Sequence, residues 1–101
     1  MRLRYTPAAI IDMEEIFEYS SVKLSHPDAA RGVIAGIYQS CAALKDNPMP
    51  GLTLRDKTGR DVEGRCLVSG KYLVVYDVNE VVSILRIFDT RTDYLRLILD
   101  T

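Results

Sequence analysis

The hydrophobic pattern of this chain changes period once, and that change limits the fold more than any other feature. Over residues 7 to about 44, apolar side chains recur at helical spacing. Ala9, Ile10, Met13, Ile16 and Phe17 form one run, and Ala30, Val33, Ile34, Ile37, Cys41 and Leu44 a second. From about residue 60 the apolar runs become short and rich in valine, isoleucine, leucine and tyrosine, which predicts strands over residues 61–68, 71–78 and 81–88. Helices that precede strands, rather than alternate with them, predict an α+β fold with a helical hairpin packed on one face of an antiparallel sheet.

Local signals set the boundaries. Arg2 to Tyr5 alternates and reads as a strand. Thr6-Pro7 supplies an N-cap followed by proline at the first helical position. Ser25-His26-Pro27-Asp28 repeats that signal, and Asn47-Pro48-Met49-Pro50-Gly51 stops the second helix. Asp12, Glu15 and Glu18 are read as facing away from the first helix's apolar side. Ser69-Gly70 and Asn79-Glu80 predict two-residue hairpin turns. Residues 55–60 read as a solvated loop, and residues 91–99 as a short final helix. The expected order is β-α-α-β-β-β with an optional C-terminal helix, in one domain over residues 1–101. Gly32 and Gly36 lie on one helix face, and each costs about 1 kcal/mol relative to alanine. Close helix–helix contact is the expected compensation.

Charge narrows the function. Residues 1–54 carry five basic and six acidic side chains and residues 55–101 eight of each, for a net charge of −1. Neither half is a basic arm of the kind that grips nucleic acid through phosphates. Cys41 and Cys66 sit inside apolar patterns and are expected to be buried thiols. Two cysteines and one histidine without close spacing do not make a metal site, so no cofactor or metal is expected. The N-terminal residues lead straight into a helix start without an apolar signal core, and no run reaches transmembrane length. The expected compartment is the cytoplasm, with no membrane partner.

Several motifs, in order, resemble the RelE/ParE superfamily of toxins. Tyr5-Thr6-Pro7-Ala8-Ala9, followed by Asp12 to Ile16, is similar to its opening strand, cap and acidic helix. Leu44, Asn47-Pro48 and Gly51 match its second-helix ending. Gly64-Arg65, Gly70-Lys71-Tyr72 and Val74-Val75-Tyr76 resemble the central sheet, and the stretch from Arg86 to Asp93 resembles the close of its last strand. Asp89 departs from the pattern, because many members carry histidine there. The resemblance implies the toxin half of a type II toxin–antitoxin pair.

Two branches of the superfamily remain as alternatives, with a third reading beside them. A RelE-like ribonuclease acts on mRNA at the ribosome and needs basic groups around a phosphate and a late tyrosine. By resemblance Arg65 and Arg91 would fill two positions and Tyr94 the tyrosine, one turn early. Glu63, Tyr72 or Leu73, and Leu97 stand where the remaining groups would be. A ParE-like toxin binds DNA gyrase and needs no catalytic set, and this branch fits the chain better. The third reading is a non-toxic binding module of the same family.

Candidates for target binding are Arg65, Arg86, Arg91 and Asp93. Each arginine also has a structural reading: Arg65 paired with Glu63 or Asp77, and Arg86 paired with Asp89 or Asp93. A two-residue turn at Asn79-Glu80 would put Arg86 on the face of Leu73 and Val75. The turn at Ser69-Gly70 decides whether Arg65 shares that face. A cognate antitoxin is the partner that the resemblance implies, wrapped over helices and sheet in a toxin–antitoxin hetero-oligomer. Tyr94, Leu95, Leu97, Ile98 and Leu99 are its candidate contacts, unless the tail folds onto the sheet.

Overall fold

The computed structural model describes residues 1–99; the expected domain also takes in Asp100 and Thr101, which lie outside the described residues. Strand β1 (Arg2–Tyr5) leads into α1 (Pro7–Leu24). Thr6 is extended, and its hydroxyl accepts from the Ala9 amide at 3.2 Å, so the cap read from Thr6-Pro7 is present. Ser25 ends α1 in the left-handed region, at φ 52°, and the chain turns back into α2 (Pro27–Ala43). His26 occupies the N-cap position, without a side-chain cap bond.

After α2 come β2 (Leu52–Thr53), α3 (Leu54–Thr58), β3 (Arg65–Ser69), β4 (Tyr72–Val78), β5 (Val81–Asp89) and α4 (Tyr94–Leu99). The strands form one sheet in the order β1-β5-β4-β3-β2. Strands β2 to β5 are antiparallel as expected, but β1 runs parallel to β5, so the sheet is mixed. Tight turns fix direction only between consecutive strands. The hairpin and meander separate β1 from β5, and a connection that long permits either direction.

Two other expectations fail locally. The stretch read as a loop contains α3: Thr53 caps it by accepting from the Asp56 amide, and Gly59 ends it at φ 71°. Strand β3 begins at Arg65 instead of residue 61, because Gly64 adopts φ 108° and breaks the extended run.

The sheet buries both faces. On one, Tyr72, Val74, Tyr76, Val82, Ile84 and Ile87 pack against Ala9, Met13, Ile37, Cys41 and Leu44 of the hairpin and the turn after it. On the other, Cys66, Leu73, Val75 and Phe88 lie under Leu54 of α3 and Ile98 of α4. Every residue from Tyr72 to Tyr76 is therefore buried, which explains a strand sequence without polar alternation. Both cysteines are buried as expected, and burial pushes their thiols up. Among the described residues no helix is long and apolar enough to cross a membrane.

Register settles the arginines. The first hairpin turns at Gly70-Lys71, one residue later than read, with Ser69 opposite Tyr72 and Arg65 opposite Tyr76. In the second, Val78 pairs with Val82, so three residues turn rather than two. A bulge between Val75 and Tyr76 adds a second one-residue offset. The two offsets cancel in parity. Arg86 lies opposite Val75, as its face required, and Arg65 lies on the other face.

Candidate functional site

Strand β1 stops at Tyr5, opposite Ile84. Past that point no strand among the described residues covers the outer edge of β5, and α1 passes instead. Asp12 of α1 closes the gap: its Oδ2 accepts the Ile87 amide at 2.8 Å. Arg86 binds the same carboxylate as a two-pronged fork, Nε to Oδ2 at 2.8 Å and Nη2 to Oδ1 at 3.1 Å. Its guanidinium also lies 4.9 Å from the centre of the Phe88 ring. The hydrogen bond to Asp12 raises the Arg86 pKa, so the cation is fixed. The partner of Arg86 is thus neither Asp89 nor Asp93. Asp12 itself is 7% exposed, which corrects its reading as outward-facing. The signal was present in the sequence, because Asp12 falls within the helical stripe that runs through Ala9, Met13, Ile16 and Ser20.

The end of β5 makes a second carboxylate–guanidinium pair. Asp89 Oδ1 accepts from the Arg91 amide at 2.8 Å and from its Nε at 3.0 Å, and Oδ2 accepts from Nη2 at 2.6 Å. An aspartate that binds the backbone two residues ahead forms a turn by itself. Thr92 completes it, donating from its amide and its hydroxyl to the Asp89 carbonyl. Asp89, the position that departs from the superfamily pattern, therefore aims Arg91. Arg91 holds the Asp89 carboxyl below the usual carboxylate range. The expected result of Arg91→Ala is an upward shift of the Asp89 pKa, read by carboxyl-carbon NMR titration. The sign follows: a depressed pKa means that the link holds above the normal carboxylate range and loosens as pH falls through the depressed value. An unshifted Asp89 would show that the pair does not form in solution.

Two adjoining hollows share Tyr19, Tyr72 and Arg91 as their common wall. One, of about 450 Å³, opens between α1, α2 and the β3–β4 turn. The other, of about 600 Å³, lies between α1, the end of β5 and Leu97 of α4. Arg86, Arg91 and Leu97 thus meet at one place, and Asp93 stands exposed beside it at the start of α4. Tyr19, Lys71 and Tyr72 belong to this place as well; Lys71 and Tyr72 stand in the sequence only within the sheet motif, and the packing of α1 beside the sheet brings Tyr19 to them.

The structure does not bring Arg65 there. Arg65 pairs across to Tyr76, four residues along β4 from the Tyr72–Asp89 pair, or roughly 13 Å at strand rise. Its Nη2 donates to the Met49 carbonyl at 3.0 Å, and among the described residues it makes no ion pair with Glu63 or Asp77. Tyr94 is elsewhere again, packed with the second core and 5.6 Å from the Lys57 ammonium. Arg65, Arg91 and Tyr94 do not converge on a common point. In the tail, Ile98 is buried in the chain's own core, while Leu95, Leu97 and Leu99 remain exposed.

A solved structure described as a chromosomal ParDE toxin–antitoxin system from P. aeruginosa is similar to this chain. Its TM-score is 0.72 at 24% identity, over 88% of this chain and 95% of that one, a likeness of fold. No curated protein matches the sequence. The family model for the ParE toxin of the type II toxin–antitoxin system parDE matches residues 3–94. That span runs from β1 through the whole sheet to the first residue of α4, and the chain belongs to the ParE toxin family of type II toxin–antitoxin systems.

Proposed function

We propose that this toxin arrests growth in the cytoplasm by binding DNA gyrase, and that a cognate antitoxin neutralises it in a hetero-oligomeric complex. The reading is carried by the charge arrangement at the site. Arg86 and Arg91 each face a carboxylate of the chain itself, Asp12 and Asp89. A substrate phosphate would have to compete with those acids, whereas a protein surface can meet the arginine–aspartate pairs together with the exposed Tyr19 ring and Leu97 side chain beside them. The separation of Arg65, Arg91 and Tyr94 speaks against ribonuclease chemistry, which requires groups gathered around one phosphate.

Arg91, Asp93 and Arg86 form the proposed target-facing group, with Arg65 outside it. Leu95, Leu97 and Leu99 are the proposed antitoxin contacts of the tail. The test is induction of the chain in growing cells, with purified chain added to a gyrase supercoiling assay. The expected result is a DNA-damage response with intact messages and loss of supercoiling, weakened at least tenfold by Arg91→Ala. Cleaved messages with unaffected gyrase would overturn it in favour of the ribonuclease. Absence of growth arrest, with antitoxin still bound, would leave the binding module.

A further inference from the structure

Gly32 and Gly36 lack the close helix–helix contact that would offset glycine in a helix. A Cβ built on either meets nothing within 4 Å, which corrects that expectation. Both instead line the 450 Å³ hollow, and their missing side chains widen it on the α2 side. Its apolar lining comes from Leu24, Val33, Ile37 and the rings of Tyr19 and Tyr72. The charged side chains around it are Lys23, Lys71 and Arg91, and no acid lines it. Arg91 already faces Asp89, but Lys23 and Lys71 are exposed and make no ion pair among the described residues. Two such ammonium groups thus stand over an apolar recess whose volume suits a small ligand. No acid of the chain competes for a phosphate between them, unlike at Arg86 and Arg91.

We infer that this hollow binds a small amphipathic phosphate of the nucleoside monophosphate class, with its flat ring system on the apolar lining beside Tyr19 and Tyr72 and its phosphate between Lys23 and Lys71. The charges match, since a phosphate monoester carries about −1.5 to −2 at neutral pH and meets two ammonium groups. A single carboxylate would leave one lysine unmatched. The flat body follows from the tyrosines, because an aromatic ring offers a face on which any base can stack. Gly32 and Gly36 let that body approach the α2 backbone, where side chains would take up part of the opening. The site is independent of the gyrase and antitoxin readings, since it asks only for the folded chain.

The test is an amide NMR titration of the full chain with adenosine, guanosine, cytidine and uridine 5′-monophosphate. The expected result is a set of saturable shifts at Gly32, Gly36 and Gly70, which line the hollow, with at least one of these nucleotides. The parent nucleoside and inorganic phosphate should each bind at least tenfold more weakly. Lys23→Gln/Lys71→Gln should weaken nucleotide binding at least tenfold at low salt, with a smaller difference at high salt. Gly36→Leu, which fills the opening, should abolish it. The Tm of every variant is taken first to show that it folds, and the lysine variant carries the test if Gly36→Leu does not. Inorganic phosphate binding as tightly as the nucleotides would mean an adventitious ion only. Hexyl phosphate binding as tightly would put an alkyl chain in place of the flat ring and overturn the ligand class. No saturable shift at millimolar nucleotide, or equal binding by all folded variants, would overturn the site.

Discussion

Asp12→Ala is expected to lower the unfolding free energy by about 3 kcal/mol, since a buried amide left without an acceptor costs roughly 1–3 kcal/mol and breaking the ion pair adds to it. The carboxylate serves two elements at once. It is the acceptor for the Ile87 amide on an edge that β1 has left open, and it takes both prongs of Arg86. The Arg86 side chain is 35% exposed, so water recovers part of its charge and the ion-pair share is discounted accordingly. For a domain of this size the loss corresponds to a fall in Tm of roughly 12–20 °C. Asp12→Asn keeps one oxygen for the Ile87 amide and should cost less, about 1–2 kcal/mol. Denaturant unfolding of the two variants separates the acceptor from the charge. A change within about 0.5 kcal/mol for Asp12→Ala, the range of an ordinary surface substitution, would mean that α1 docks by apolar packing alone.

Gly51→Ala should be at least as damaging, for a reason of space instead of charge. Gly51 adopts φ 80°, and a Cβ there would stand 2.2 Å from the Cys66 carbonyl oxygen. That carbonyl belongs to the backbone of β3, where Cys66 is paired with Leu52, and it cannot swing aside without breaking the ladder. The loop before Gly51 is equally fixed. The buried Tyr76 hydroxyl lies 3.1 Å from the Pro48 carbonyl and 2.8 Å from that of Pro50, and Arg65 holds the Met49 carbonyl between them. Backbone displacement on this scale is expected to cost about 3 kcal/mol or more, the range of an overpacked core. Gly59→Ala is the control. Gly59 has nearly the same backbone, at φ 71°, but open space around it. It should cost only the left-handed strain, about 1 kcal/mol. Equal losses for the two would show that the approach of Gly51 to β3 is not maintained in solution.

The parts of the fold readable from the sequence were those written in local chemistry. Thr6-Pro7, the stripe of α2 and the valine-rich meander each carry their own instruction. What stayed hidden depended on distant partners. The direction of β1 is set by its place beside β5, and no turn encodes that. The bulge at Leu85 has no residue signature, and only because a longer turn offset it did the face of Arg86 come out as expected. Helix α3 did leave a trace in Thr53, Asp56 and Gly59, but five residues are too few for periodicity to reveal.

At the site, Arg91 and Leu97 were legible as candidates through resemblance. Their gathering with Tyr19 and Tyr72 was not, since it arises from the angle at which α1 crosses the sheet end. Asp12 was misplaced because an acid in a helix is usually solvated, and a buried one needs a partner; here that partner is 74 residues away.

That separation has a consequence for how the toxin comes into being. Arg4 to Ser83, Thr6 to Leu85 and Asp12 to Arg86 all join the opening segment to the last strand, across 74 to 79 residues. During synthesis the hairpin is made first, yet the strand that docks β1 and closes the edge is the last of the sheet to leave the ribosome. The nascent chain therefore carries the apolar underside of α1 and α2 uncovered until β4 and β5 have emerged. Closing such distant contacts is slow, and a chain waiting to do so is open to capture. The surface around Arg91 exists only once β5 has paired, so it forms with the closing of the sheet and not with the appearance of the hairpin.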